Sequence, residues 1–246
     1  MRLQGKTAIV TGGASGFGAG IVRKFAAEGA KVLIADLNMA LAEDVASEVN
    51  GISAKVDVSD NDSVEALAAM ASATLGAVDI LVNNAGITHL PKPMQEVTEE
   101  EFDRVMAVNC KSVYLTARHF VPAMVSAGKG AILNVASTAG LSPRPRLNWY
   151  NASKGWMITA TKTMAVELAP EGIRVNAICP VAGETPLLKS FMGEDTPEIR
   201  AKFLSTIPLG RFSTPEDMGN AACFLCSDEA SMITGVAMEV DGGRCV

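Results

Sequence analysis

Tyr150 and Lys154 stand one helical turn apart, and their types and spacing point most directly to chemistry. Residues at i and i+4 share one face of a helix, so the ammonium group can favour the phenolate form of the tyrosine. A phenol titrates near pKa ~10, and a neighbouring positive charge lowers that pKa toward the range useful for acid–base catalysis. The alternative for an isolated pair is a core tyrosine beside a lysine that reaches the surface.

Ser137 is a third polar residue that the sequence brings toward this pair. It follows the apolar run 131–136, which predicts a buried strand. Its hydroxyl would therefore emerge at the carboxyl end of that strand, the edge at which open parallel sheets bind ligands. We expect Ser137 and Tyr150 to lie together there.

Strand and helix patterns alternate along the whole chain, without a linker, repeat or low-complexity segment. The predicted strands are Thr7–Val10, Lys31–Ala35, Ser53–Val56, Asp79–Val82, Ala131–Val135, Arg174–Ile178 and Val236–Val240. The predicted helices are Gly18–Glu28, Ala40–Val49, Ser63–Thr74, Glu99–Asn109, Ser112–Ser126, Tyr150–Ala169 and Pro215–Leu225. Apolar strands between helices indicate βαβ units and a sheet buried on both faces. We predict a doubly wound parallel seven-stranded sheet, a Rossmann-type α/β fold, in one domain spanning residues 1–246.

Bulk composition excludes several classes of partner. The 246 residues are 48% hydrophobic and carry a net charge of −6. The chain therefore has no excess of positive charge with which to bind a nucleic-acid backbone. No apolar run approaches the ~20 residues that a membrane helix needs. The first strand begins near Lys6, which leaves no room for a signal peptide. We therefore expect a cytoplasmic protein with no nucleic-acid or membrane partner.

Cysteine and histidine do not form a recognisable site. Cys223 and Cys226 make a C-x-x-C pair that could indicate metal or redox chemistry. They lie in a stretch with helical apolar spacing, with no second pair or histidine nearby, so we interpret them as structural. His89 and His119 are isolated from each other and from other ligands, so we expect packing or surface roles.

Residues 11–18 form a glycine-rich turn that follows the first strand and opens the first helix. Such a turn lets backbone N–H groups approach a pyrophosphate at a helix N-terminus. Asp36 ends the second strand, where a carboxylate accepts hydrogen bonds from ribose hydroxyls and repels a 2′-phosphate. Because neither Arg nor Lys stands beside it, we predict NAD rather than NADP. The alternative is a solvated aspartate at a strand end.

Several motifs together resemble the short-chain dehydrogenase/reductase family in its compact single-domain form, over nearly the whole chain. They are Thr11-Gly12-x-x-x-Gly16-x-Gly18, Asn83-Asn84-Ala85-Gly86, Asn109, Ser137 and Tyr150-x-x-x-Lys154. The resemblance implies cofactor binding by Gly12, Ser15, Gly16, Phe17, Gly18, Asp36, Leu37, Asp57, Val58, Asn84, Ala85, Gly86, Tyr150, Lys154, Pro180, Gly183 and Thr185. Similar proteins are commonly tetramers, so the resemblance also implies a homotetramer for this chain.

The same resemblance implies hydride transfer between NAD(H) and a secondary alcohol or ketone. Tyr150 would be the acid/base, Lys154 would lower its pKa and hold the nicotinamide ribose, and Ser137 would bind the reacting oxygen. Asn109 would hold a water that links Lys154 to solvent. A 3-oxoacyl-(acyl-carrier-protein) reductase is the alternative, although Asp36 disfavours its usual NADP. An inactive dinucleotide sensor is disfavoured because all four catalytic positions are filled.

The chain departs from the family pattern after the sixth strand, where it reads Pro180-Val181-Ala182-Gly183-Glu184-Thr185. Val181 replaces a glycine, and Gly183 stands where Val or Ile commonly lies against the nicotinamide. We therefore expect an altered wall at the nicotinamide, with Glu184 facing the substrate.

Two segments are candidates for contact with the substrate. Residues 184–208 form a long excursion between strands, which predicts a lid over the substrate, the alternative being a helical surface insertion. Arg144 and Arg146 lie between Ser137 and Tyr150 and could bind a carboxylate, phosphate or sulfonate. Salt bridges at a rim or between subunits are the alternative for these arginines.

Apolar side chains on several faces of the helices 112–126 and 150–169 predict subunit packing, because one sheet covers only one stripe of a helix. These side chains are Val113, Leu115, Val121, Met124, Trp156, Met157, Met164 and Val166.

Overall fold

Seven parallel strands form one sheet at the centre of the fold. The computed structural model describes residues 1–246. The strands are β1 Thr7–Thr11, β2 Lys31–Asp36, β3 Ile52–Lys55, β4 Ile80–Asn83, β5 Gly130–Val135, β6 Ile173–Pro180 and β7 Ala237–Val240. They lie in the order β3-β2-β1-β4-β5-β6-β7, and each neighbouring pair is parallel. The predicted doubly wound seven-stranded fold in a single domain is confirmed.

Helices cover both faces of the sheet. They are α1 Gly16–Ala27, α2 Met39–Val49, α3 Asn61–Leu75, α4 Glu99–Met106, α5 Ser112–Ala127, α6 Asn148–Leu168, α7 Leu188–Met192, α8 Pro197–Leu204 and α9 Pro215–Cys226. Buried side chains of α1, α2 and α9 form one core cluster with the sheet. Those of α3, α5 and α6 form a second cluster with the sheet. The three-layer arrangement therefore follows from the alternation of strands and helices.

The strands are apolar on both faces because each face has its own helix layer. In β1, Ala8 and Val10 enter the core cluster beneath α1, while Ile9 enters the cluster on the opposite side. In β4, Ile80 and Val82 point to the first cluster and Leu81 to the second. Side chains alternate along a strand, so a continuous apolar run buries both of its faces.

The direction of strand addition reverses between β1 and β4. The chain first adds β2 and β3 on one side of β1, then crosses to place β4 on the other side. Connections at such a switch point run to opposite faces of the sheet and leave a crevice at the carboxyl ends of the strands. The turn after β1 and the segment after β4 therefore border one crevice.

The predicted helix over residues 99–109 differs in the structure. The α-helix ends at Met106, and Ala107–Lys111 forms a π-helical turn that continues into α5. Apolar spacing does not distinguish this turn from regular helix, because one extra residue shifts the register only locally. Single π turns are often associated with functional sites, and this one carries Asn109.

The segment 184–208 contains two short helices, α7 and α8. Gly193 ends α7 with a positive φ of 78°, and Pro197 begins α8.

None of the helices combines the length and the hydropathy that crossing a membrane requires. Cys223 and Cys226 lie buried on α9 within the core cluster beneath α1.

Candidate active site

A large cavity opens at the carboxyl edge of the sheet, over the crevice between β1 and β4. Its volume is about 1120 Å³, and it reaches from Asp36 at the end of β2 to Tyr150 on α6. The residues predicted for cofactor binding or catalysis that line it are Gly12, Ser15, Gly16, Phe17, Asp36, Leu37, Asp57, Val58, Asn84, Ala85, Gly86, Ser137, Tyr150, Lys154, Pro180, Gly183 and Thr185. Gly18 and Asn109 are the predicted residues that do not line the cavity.

The glycine-rich turn packs its backbone tightly against the segment that follows β4. Gly12 has a positive φ of 61°, and a Cβ there would lie 2.9 Å from the Cα of Ala85. A Cβ on Gly18 would overlap the carbonyl oxygen of Gly12. Gly18 therefore keeps the turn compact from behind, which explains a glycine at a position outside the cavity. The side-chain amide of Asn84 donates to the carbonyl oxygens of Thr11 and Gly12, at 3.0 and 2.9 Å.

The end of the cavity at β2 and β3 is acidic. Asp36 accepts hydrogen bonds from the N–H of Ala14 at 3.0 Å and of Asn38 at 2.9 Å, so its carboxylate is held in a fixed orientation. Each carboxylate oxygen keeps capacity for a further donor. The hydroxyl and N–H of Ser59 bind the Asp57 carboxylate and lower its pKa. The lining residues from segments 35–37 and 56–59 include no Arg or Lys.

Tyr150 and Lys154 occupy the opposite end of the cavity, on the first turns of α6. Their exposed fractions are only 5% and 4%. The Lys154 ammonium donates to the carbonyl oxygen of Val135 at 2.9 Å and lies 5.9 Å from the centre of the Tyr150 ring. Ser137 follows β5 on the same side of the cavity. Ser137, Tyr150 and Lys154 therefore lie together at one end of the cavity, as the sequence predicts.

The pKa of Tyr150 moves in the opposite direction from the one we expected. Burial raises this pKa to about 12, and the nearby Ser137 hydroxyl only partly opposes the shift. Burial also lowers the pKa of Lys154, to about 8. Loss of solvation thus outweighs the charge of Lys154, which is directed at Val135 rather than at the phenol oxygen. At neutral pH the phenol keeps its proton and the lysine carries its charge.

The side chain of Asn109 is bonded to protein groups from two other segments. Its carbonyl oxygen accepts from the N–H of Ile87 at 2.9 Å. Its amide donates to the Ile87 carbonyl at 2.9 Å and to the Ser153 hydroxyl at 3.0 Å. Asn109 therefore ties the π-helical turn to the segment after β4 and to α6, and its role in holding a water stays a prediction.

The segment 184–208 contacts the tyrosine directly. The rings of Phe191 and Tyr150 meet edge-on with centres 5.1 Å apart. Phe191, Leu187 and Phe203 all line the cavity. Glu184, however, does not face the cavity, in contrast to our expectation. Its carboxylate pairs with Arg200 at 3.2 Å, a residue 16 positions further along the chain.

The two arginines between Ser137 and Tyr150 lie in different places. Arg144 lines the cavity, but Arg146 is exposed outside it. Arg146 has a positive φ of 71°, which turns the chain between the two residues. His89 and His119 lie outside the cavity as well, with ring nitrogens bonded to the Leu90 carbonyl and the Asn61 side chain.

Comparison with known proteins covers almost the whole chain. Residues 12–244 match the family model described as enoyl-(acyl carrier protein) reductase. The chain is 51% identical over 250 residues to 4-formylbenzenesulfonate dehydrogenase from Comamonas testosteroni, with 99% of each chain covered. It belongs to the short-chain dehydrogenase/reductase family.

Further short-chain dehydrogenases/reductases agree with this assignment. The 3-oxoacyl-[acyl-carrier-protein] reductase from Thermotoga maritima is 41% identical over 252 residues, with both chains covered completely. The crystal structure of 3-ketoacyl-(acyl-carrier-protein) reductase from Brucella melitensis complexed with NADH has a TM-score of 0.95 and 50% identity. It covers 99% of this chain and 100% of that one. The family predicted from the motifs is confirmed.

Several cavity residues fall outside the motifs of the short-chain dehydrogenase/reductase family. They include Ile87, Thr138, Arg144, Leu147, Asn151, Leu187, Phe191 and Phe203. Asn151 directly follows Tyr150, and its side-chain oxygen is buried without a protein donor. Its place one residue after Tyr150 in the sequence could have identified Asn151 as a cavity residue. Nothing in the sequence indicates that Phe203 lines the cavity, because it lies far along the chain in a helix without a clear apolar face.

Proposed function

We propose that the protein is an oxidoreductase that transfers hydride between NAD(H) and a secondary alcohol or ketone, with Tyr150 as the acid/base. One observation carries the proposal. A single cavity holds a carboxylate suited to a ribose at one end and the buried Tyr150–Lys154 pair at the other. One continuous cavity that joins a nucleoside-binding end to a proton-donating end is what a dinucleotide cofactor requires.

The residues around the cavity fit NAD. The backbone of the glycine-rich turn would hold the pyrophosphate at the start of α1, and Asp36 with Leu37 would hold the adenosine ribose. Asp57 and Val58 would contact the adenine. A Cβ on Gly86 would lie 3.3 Å from the Lys154 ammonium, so glycine there leaves that ammonium free for the nicotinamide ribose. The remaining contacts would come from Ser15, Phe17, Asn84, Ala85, Pro180, Gly183 and Thr185.

The bound cofactor would supply or accept the hydride, and the chain handles the proton. During reduction of a ketone, the Tyr150 hydroxyl would give its proton to the carbonyl oxygen, which becomes the hydroxyl oxygen of the alcohol. The Ser137 hydroxyl donates a hydrogen bond to the same oxygen. Because burial raises the pKa of Tyr150 to about 12, the phenol is protonated and ready to act as the acid at neutral pH. Lys154 stabilises the phenolate that this transfer leaves.

We propose that Asn109 is a positioning residue. Its hydrogen bonds join Ile87, beside the cofactor segment, to Ser153, which precedes Lys154. It would therefore set the distance between Lys154 and the cofactor ribose.

We also propose that residues 184–208 act as a lid over the substrate, because Phe191 already packs against Tyr150. The five free thiols suit the reducing cytoplasm that we expect for this enzyme.

A 3-oxoacyl-(acyl-carrier-protein) reductase is the second candidate, because two of the relatives above carry that name. Against it, α4 places Glu99, Glu100 and Asp103 along the cavity with only Arg104 to offset them, and such a rim repels an acidic carrier protein. The name of the 51% identical relative makes a small sulfonated aromatic compound a substrate to try first. A panel of small ketones and one acyl-carrier thioester, assayed by loss of NADH absorbance, would separate the two candidates.

The wild-type enzyme is expected to prefer NADH, because Asp36 repels the 2′-phosphate of NADPH. The double change Asp36→Ser with Leu37→Arg should shift the ratio of kcat/KM toward NADPH by at least about 10-fold, the size expected for one hydrogen bond to a charged group. Leu37→Arg alone is the control and should shift the ratio less, because Asp36 remains. Equal or better wild-type efficiency with NADPH would contradict the assignment.

We propose that the protein assembles as a homotetramer through α5 and α6. Of the side chains expected to be available, Val113, Leu115, Met124 and Met157 are buried within the chain itself. Trp156 and Val166 remain exposed, as does Tyr114. The apolar surface left for a partner is therefore smaller than the sequence indicated, but it lies on the predicted helices.

Sedimentation at micromolar concentration tests the assembly. The wild-type protein should sediment well above its 25.7 kDa chain mass. Val166→Lys should shift it toward smaller species, because Val166 is 79% exposed in the single chain and would bury a charge in the interface. Leu41→Lys, on α2 away from these helices, should leave the assembly unchanged. A stable wild-type monomer would rule the tetramer out.

A further inference from the structure

Arg144 is a cation at the substrate end of the cavity that no carboxylate neutralises. We call the substrate end the part of the cavity lined by segments 137–154 and 180–203. Its charged lining residues are Arg144 and Lys154, and it contains no acidic side chain. Arg144 takes part in none of the nine salt bridges of the molecule.

The guanidinium of Arg144 keeps most of its hydrogen-bonding capacity. One nitrogen donates to the Thr206 hydroxyl at 2.8 Å, and the guanidinium carbon lies 4.4 Å from the centre of the Phe203 ring. The other N–H groups of its side chain have no protein acceptor. Burial lowers the pKa of Arg144, and the charge of nearby Arg244 adds to that shift. Because no acidic side chain lies at this end of the cavity, a negatively charged ligand could compensate the charge of Arg144.

The loop that carries Arg144 is held rigidly, which suits a binding residue. The Asn151 side chain donates to the main-chain carbonyl of Arg144 at 2.8 Å. Arg244 donates to the hydroxyl and the carbonyl oxygen of Ser142, at 2.9 and 3.2 Å. Pro143 and Pro145 flank Arg144 and restrict the backbone further. Little ordering is therefore needed when a ligand binds, and rigid presentation favours affinity.

We propose that Arg144 binds an oxyanion on the substrate, a carboxylate or a sulfonate, at the end remote from the reacting carbon. The proposal rests on the function proposed above and names its substrate class. Phe191 packs against Tyr150 and Phe203 packs against Arg144, and Leu187 lines the same cavity, so the body of the substrate is a flat apolar group such as an aromatic ring. A guanidinium fork matches two oxygens of such an anion and can stack at the same time.

A purely structural role for Arg144 is the competing explanation. Its contacts with Thr206 and Phe203 join the loop after Ser137 to the segment 184–208. If Arg144 only held the segment 184–208 in place, its replacement would change the binding of anionic and neutral ligands equally. A preference between a charged compound and its neutral analogue therefore separates the two roles.

Binding is measured first, because it does not depend on turnover. The probes are 4-methylbenzenesulfonate and its neutral analogue 4-methylbenzenesulfonamide, titrated by calorimetry into the enzyme–NADH complex and into the enzyme alone. The wild-type complex should bind the sulfonate at least about 10-fold more tightly, as expected for a charge-assisted hydrogen bond. Arg144→Gln should abolish the preference, and Arg144→Lys should retain part of it. Arg146→Gln, on the same loop but outside the cavity, should keep it in full.

Kinetics give the second readout. The ratio of kcat/KM for 4-acetylbenzenesulfonate over 4-acetylbenzenesulfonamide should fall at least about 10-fold in Arg144→Gln and stay constant in Arg146→Gln. An unchanged ratio, an equal loss for both ketones, or no wild-type preference for either anion would overturn the proposal. Absence of NADH-dependent reduction of any ketone, with the binding preference intact, would instead contradict the proposed function alone.

Discussion

Replacing Tyr150 with phenylalanine is expected to lower turnover of a ketone by at least about 100-fold, the usual size of an acid–base contribution. The change removes the hydroxyl that would protonate the carbonyl oxygen and keeps the ring that packs edge-on against Phe191. NADH affinity should stay nearly constant, because Lys154 rather than the phenol is assigned to the cofactor ribose. Steady-state kinetics and NADH fluorescence titration measure the two quantities separately.

The chain offers a matched control for this change. Its other tyrosine, Tyr114, is 52% exposed on α5 and does not line the cavity, so Tyr114→Phe should leave turnover unchanged. Lys154→Ala should differ from both and weaken turnover and NADH binding together. Turnover in Tyr150→Phe close to that of the wild type would mean that another group supplies the proton.

The fold was predictable because its signals are local. Each strand is a short apolar run bounded by turn residues, and the helices that cover the sheet bury apolar residues on one side, so type and order follow from patterns within a dozen residues. The common location of most predicted site residues along one cavity was predictable for a related reason. Parallel strands bring their carboxyl ends to one edge, so residues that directly follow β1, β2, β4, β5 and β6 must lie near one another.

Contacts between distant residues account for what the sequence did not reveal. Glu184 is acidic and lies beside the nicotinamide segment, but Arg200 draws its carboxylate away from the cavity. Arg144 and Arg146 alternate on one loop, and only the folded backbone decides which of them enters the cavity. The pKa of Tyr150 rises because several elements together bury nearly all of its side chain. Spacing on one helix gave the position of Lys154 but not the depth of that burial.

Phe17 and Gly183 show the same dependence on distant contacts, and they lead to the second large effect we expect. The two residues are far apart in the chain but meet at the end of the cavity where we propose that the nicotinamide binds, and both line it. A Cβ on Gly183 would overlap the Phe17 ring and lie 2.7 Å from the hydroxyl oxygen of Ser213. The ring of Phe17 therefore occupies the space that Val or Ile, the common residues at position 183 in the family, would fill.

Gly183→Val alone should weaken NADH binding by about 10- to 100-fold, because overpacking of a filled site costs about 1–3 kcal/mol. The Phe17 ring would have to rotate into the cavity, into the space proposed for the cofactor, or push against Ser213. Phe17→Ile alone leaves a small void and should have a weaker effect. Fluorescence titration with NADH and the unfolding temperature of each variant measure both consequences.

The double variant Phe17→Ile with Gly183→Val decides whether the two residues truly share one space. It keeps the number of side-chain carbon atoms constant and divides them between the two positions, which relieves the overlap with the ring, and cores tolerate such repacking better than added bulk alone. NADH affinity should recover most of the loss seen in Gly183→Val, so the effects of the two changes should be strongly non-additive. Additive losses would show that valine at position 183 acts on the cofactor by itself. In that case the wall at the nicotinamide would be set by the backbone of the Pro180–Thr185 segment and not by the Phe17 ring.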